Sequence, residues 1–176
     1  MQMRVPRIGF SALVLALVSN AQAGSNTGLI TFSMTLSSSC LVNGADGATA
    51  VSFGALDFGT TGSLFTVNGE VLAGGGGALS ILCSSGISPV VTIGAGAHDG
   101  ESVGGTRALA DISGNFVPYD LYTDSGRTQV LAINGEIALE GSTGAARTVN
   151  IYGKAVGKAD LPAGTYSDTV AVELTF

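Results

Sequence analysis

The sequence holds no tryptophan, one histidine, at His98, and two cysteines, Cys40 and Cys83. Each scarcity removes a class of chemistry. With a single imidazole and no C-x-x-C pair, neither a zinc site nor a thiol redox centre has its ligands. A Ser/His/Asp triad would have to use His98, inside the run GAGAHDGES, which reads as an exposed Gly-rich loop, and no G-x-S-x-G elbow accompanies it. The glycines of AGGGGAL lack the Lys-Ser/Thr of a phosphate cradle, and the acidic residues never take the D-x-D-x-D-G spacing of a calcium loop. Carboxylates that could be paired for glycoside chemistry, Asp99 with Glu101 or Glu136 with Glu140, are what the solvated faces of any acidic β-protein offer. No enzyme, metal or cofactor is expected.

Positive charge is scarce as well, with seven Lys and Arg against thirteen Asp and Glu. Such a surface repels phosphate backbones, so nucleic acid is not an expected partner. Long apolar runs are missing too. The longest, residues 8–18, covers eleven positions at about 1.5 Å each and cannot cross roughly 30 Å of hydrocarbon. It follows Arg4 and Arg7 and precedes Ala21-Gln22-Ala23, the order of a secretory signal peptide over residues 1–23. Seven basic residues less Arg4 and Arg7 leave five, and five against thirteen acidic ones is a formal net charge of −8 for the exported chain. In an oxidising compartment, a disulfide between Cys40 and Cys83 is the default pairing.

What is present reads as strands. Apolar or β-branched runs of four to eight residues lie between clusters of Gly, Ser, Asn and Asp, and no segment keeps a helical period for three turns. Strands are expected over 78–83, 89–93, 119–123, 129–133, 136–139, 148–156 and 168–176, enough for a β-sandwich. Asn134-Gly135 signals a two-residue hairpin, Asp124-Ser125-Gly126 a turn and residues 74–77 a flexible loop.

The two ends of the chain alternate most clearly. In GLITFSMTLSSSC, residues 28–40, Ile30, Phe32, Met34 and Leu36 share one face. In TYSDTVAVELTF, residues 165–176, Val170, Val172, Leu174 and Phe176 do the same, and the chain stops on a core-facing aromatic. Periodicity demands that each face be buried but does not say where. Ser37 to Ser39 is long enough for a hairpin turn, so the first strand could fold back on its own domain.

The ordered set FGALDFG (53–59), LSILC (79–83), TRAL (106–109), YDLYTDSGRT (119–128) and AGTYSDTVAVELTF (163–176) resembles the spore coat protein U family, which includes the pilins of archaic chaperone–usher systems such as the Csu pili. That resemblance implies an incomplete immunoglobulin-like β-sandwich, residues 39–176, closed by a donor strand from a neighbouring subunit. Residues 24–38 would be the donor-strand extension, with Ile30, Phe32, Met34 and Leu36 as its inserted side chains. Val170, Val172, Leu174 and Phe176 would line the acceptor groove and pair with a periplasmic chaperone, which would also hold the carboxylate of Phe176. The implied partners are that chaperone, an outer-membrane usher and neighbouring pilins. The implied location is a cell-surface pilus reached through the periplasm, serving adhesion and biofilm formation. The rival reading is a self-complete secreted β-sandwich, a spore-coat or carbohydrate-binding protein.

Overall fold

The computed structural model describes residues 24–46, 51–71 and 79–176. The expected signal peptide and the glycine loop at 74–77 lie outside them. The chain divides into two units, Met1–Thr35 and Leu36–Phe176. Described residues of the first have neither helix nor strand and are exposed.

Described residues of the second unit form ten strands: β1 (Cys40–Val42), β2 (Thr66–Val71), β3 (Leu79–Cys83), β4 (Val90–Gly96), β5 (Arg107–Ala110), β6 (Phe116–Tyr122), β7 (Gly135–Ala138), β8 (Arg147–Val149), β9 (Ile151–Val156) and β10 (Val170–Thr175). They form three sheets, in the orders β1-β3-β8, β10-β4-β7 and β2-β9-β6-β5, and every pairing between them is antiparallel. The expected all-β class holds, with no helix among the described residues. No described helix is long and apolar enough to cross a membrane.

Alternation decides what goes inside. Leu79, Ile81 and Cys83 of β3, Val91 and Ile93 of β4, and Val117, Tyr119 and Leu121 of β6 are buried, and their faces meet in one apolar core. Cys40 and Cys83, direct partners across β1 and β3, are joined by a disulfide. Closing a loop with a sequence separation of 43 removes unfolded-state entropy worth about 4 kcal/mol in the chain-entropy model.

Several expectations need correction. Residues 148–156 are two strands: the chain leaves β3 at Val149 and joins β6 and β2 from Ile151, so one alternating run serves two sheets. Residues 129–133 form no strand. They touch β6 through the single bridge Tyr122↔Val130, because β4, the strand beside β7, already has both of its neighbours. Asn134-Gly135 is therefore not a hairpin tip. The amide of Gly135 donates to the carbonyl of Ala132 at 2.9 Å, which centres the turn one residue earlier, with Asn134 at φ 60° in the position that tolerates a left-handed backbone.

The turn at Asp124 does form. Its carboxylate accepts from the amides of Thr128 and Gln129 and from the Thr128 hydroxyl, and these bonds, that from Gln129 foremost, hold it below the ordinary carboxylate value. Strands β1, β2 and β5 are additions to the sequence reading. In β2 Gly69 lies mid-strand, where Leu56 occupies the space a side chain would take.

Candidate functional site

β10 ends its sheet: β4 is its one strand partner, and no described strand pairs with its outer edge. An edge of this kind presents a row of unpaired backbone donors and acceptors to any strand that can reach it. Along it Val170, Val172 and Leu174 are half-buried while Ala171, Glu173 and Thr175 are exposed, the alternation expected of a strand with one face turned inward. Phe176 lies just beyond the strand and is 57% exposed.

Beneath β10 the core is open. A cavity of about 460 Å³ is bounded by Val170 and Val172 on one side and by Phe53, Leu56, Tyr119 and Ile151 on the other. A second, of about 540 Å³, is lined by residues of the segments 56–67 and 161–168 and shares Leu56, Phe58, Leu109 and Asp168 with the first. Protein interiors are packed nearly as densely as organic crystals, with few voids larger than a water molecule. This space, larger than a packed interior usually leaves, lies beside a strand edge that no described strand pairs with. Leu174 and Phe176 are not among its lining residues, so the open volume sits at the start of β10.

The far wall, which periodicity alone does not identify, is the FGALDFG segment. Residues 51–64 have no helix or strand, yet Phe53, Leu56 and Phe58 pack on the core. Phe58 meets Tyr119 edge to face at 5.9 Å between centroids. The signal for this wall was in the sequence as three large apolar residues among glycines, a pattern with neither a period of two nor of 3.6.

A polar cluster closes the groove where the chain enters β10. The Asp168 carboxylate, 2% exposed, accepts from the Ala97 amide at 2.9 Å and from the Tyr119 hydroxyl at 2.7 Å. Burial first, then that bond to Asp168, pushes the Tyr119 phenol far above its ordinary value, so it stays protonated and remains a donor. Arg107, fully buried at the start of β5, donates from Nη1 to the Gly94 carbonyl at 2.9 Å and lies 3.6 Å from Asp99. Asp99 accepts from the Gly96 amide at 2.8 Å. These contacts tie β4, β5, β6 and the start of β10 together. His98 is half-buried and not on an exposed loop: its ring packs against Phe116 and its Nδ1 lies 3.9 Å from Asp168. Among the described residues no group of three or more His, Cys, Asp or Glu could hold a metal ion.

The expected donor residues are placed as exposed apolar side chains: Ile30 is 79% exposed, Phe32 87%, Met34 82% and Leu36 81%. None belongs to a strand. Regular pairing begins at Ser39, whose carbonyl accepts from the Ser84 amide at 2.9 Å, one residue before the disulfide. Residues 24–39 include no charged side chain.

The chain is similar in structure to a chain in the crystal structure of the CsuC–CsuE chaperone–tip adhesion subunit pre-assembly complex from archaic chaperone–usher Csu pili of Acinetobacter baumannii. Identity is 22%, 81% of this chain and 41% of that chain are covered, and the TM-score is 0.49. The match thus spans less than half the length of that chain. A search of curated proteins returned no match. The family model described as Spore Coat Protein U domain matches residues 26–173, from within the exposed arm through most of β10, and on that match the chain belongs to the Spore Coat Protein U domain family.

Proposed function

We propose that the chain is a structural subunit of a surface pilus, assembled by a chaperone–usher route in which the N-terminal arm of one copy completes the sandwich of the next. Residues 1–23 act as the export signal, residues 24–38 as the donor arm and residues 39–176 as the acceptor domain. A periplasmic chaperone occupies the groove first. At an outer-membrane usher the arm of the incoming subunit replaces it.

One observation carries this reading: a strand edge without a partner, above an apolar cavity, in a chain that also exposes an uncharged arm of alternating large apolar residues. Backbone hydrogen bonds along β10 supply the pairing past Leu174 and Phe176, and alternate side chains of the arm, Ile30, Phe32, Met34 and Leu36, supply what enters the groove beside Val170 and Val172. Four large apolar side chains at roughly 1.5 to 3 kcal/mol each give about 6 to 12 kcal/mol gross per junction. Ordering a flexible arm subtracts a substantial part of that. Adhesion and biofilm formation follow as the work of such a fibre.

Gel electrophoresis of surface material tests the proposal. Without boiling, the protein is expected to run as a ladder of multimers that collapses to one band on heating. Because the arm has no charge, the ladder is expected to be unchanged by washing in 1 M salt, where surface ion pairs are screened out. A single band before heating would favour the self-complete sandwich.

A further inference from the structure

Gly69 and Gly153 face each other directly across β2 and β9. Glycine weakens a strand, and two facing glycines also forgo a cross-strand side-chain pair. The reason for the gap is Leu56. A Cβ at Gly69 would collide with Leu56 Cδ2. One at Gly153 would lie 2.8 Å from Leu56 Cδ1 and 2.9 Å from Phe58 Cζ. The glycine pair is a shallow window in the sheet into which Leu56 and Phe58 sink. With a Cβ in the window the tip of Leu56, and at Gly153 that of Phe58 as well, would have to shift to regain ordinary contact, and Leu56 bounds both cavities.

We propose, on the reading that the arm of one copy fills the groove of another, that Leu56 sizes the pocket for a single donor side chain, that Gly69 and Gly153 set its depth, and that the occupant is Phe32. The arm offers four apolar residues, of which Phe32 has the only aromatic ring. The pocket offers Phe53, Phe58 and Tyr119 as its walls, with Val170 and Val172 opposite. Rings favour edge-to-face and offset neighbours, which an aliphatic donor could not use. The two glycines thus exchange strand stability for room at one point of the groove, and so select for size at one position of the arm.

The test is a size swap in the full chain, read as the rate at which ladder multimers dissociate. Gly153→Ala advances the tips of Leu56 and Phe58 and is expected to speed dissociation about tenfold or more. Phe32→Val is expected to do so too, by leaving space empty. Combined in one chain, the two are expected to dissociate more slowly than the product of the single effects, since a smaller side chain suits a shallower pocket. The same cycle with Leu56→Ala and Phe32→Trp checks the opposite direction. Far-ultraviolet circular dichroism and cooperative unfolding of each monomer establish that the variants fold, and should Gly153→Ala fail to fold, the Leu56→Ala cycle carries the test alone. Multiplicative effects in well-formed ladders would overturn the role of Leu56 while leaving donor-strand assembly standing. Absence of any ladder from the unmodified chain would overturn both.

Discussion

Truncating Phe32 to Ala is expected to weaken each junction between copies by about 3 to 5 kcal/mol, the cost of removing a ring from a closed apolar site. That is roughly two to three and a half orders of magnitude in dissociation constant. Phe32 is 87% exposed in the chain by itself, so the change removes nothing that the single subunit's packing depends on. Monomer stability should therefore move by less than about 0.5 kcal/mol, the usual range for a surface site. The contrast between a large loss in the fibre and almost none in the subunit is what separates a donated strand from a self-packed one. Urea denaturation of the monomer beside thermal dissociation of the ladder measures both. Equal losses in the two would mean that Phe32 is buried within its own copy.

The second large effect is expected at Arg107, and it falls on the subunit itself. Replacing it with Ala leaves the partly buried Asp99 carboxylate without the guanidinium 3.6 Å from it, and removing one partner of a buried pair typically costs about 3 to 5 kcal/mol. The change also releases the Gly94 carbonyl, which accepts from Arg107 Nη1 at the end of β4. Since Asp168 bounds the cavity beneath β10, loss of the cluster should loosen the entrance to the groove as well. Pairing Arg107→Met with Asp99→Leu should recover much of the stability, because an apolar replacement of both partners is often neutral. Urea midpoints of the single and double variants check this. A single variant within 1 kcal/mol of the unmodified chain would show that the cluster carries little of the fold.

Much of this was legible in the residues. Alternation in residues 79–83 and 170–175 found β3 and β10 within a residue or two, because each has one face in the core and one outside it. The pairing of Cys40 with Cys83 followed from compartment and count. Illegible were the features that tertiary packing decides. Asn68-Gly69 mimics a turn, yet Gly69 sits inside β2 because Leu56 occupies the space a side chain would take. TRAL offers no alternation, since Arg107 is buried beside partners that nothing local marks, Asp99 and the Gly94 carbonyl, 8 and 13 positions away. Residues 148–156 alternate without a break, and nothing local marks Asn150 as the point where the chain changes sheets.

The same division applies to the groove. Its near side, β10, is periodic and was readable; its far wall, Phe53 to Phe58, has no regular structure and could be found only from the fold. The arm was readable as an amphipathic strand without a stated destination.

That destination is the central claim, and photo-crosslinking from position 32 measures it most directly. A chain carrying a photoreactive residue in place of Phe32, prepared with natural nitrogen, would be unfolded with an equal amount of uniformly ¹⁵N-labelled chain, refolded together and irradiated. The expected product is a crosslink between the arm and peptides containing Phe53 to Phe58 or Val170 to Val172, in which the two peptides carry different isotopes about as often as the same one. Crosslinks confined to a single isotope would show that the arm returns to its own domain and would contradict donor-strand assembly.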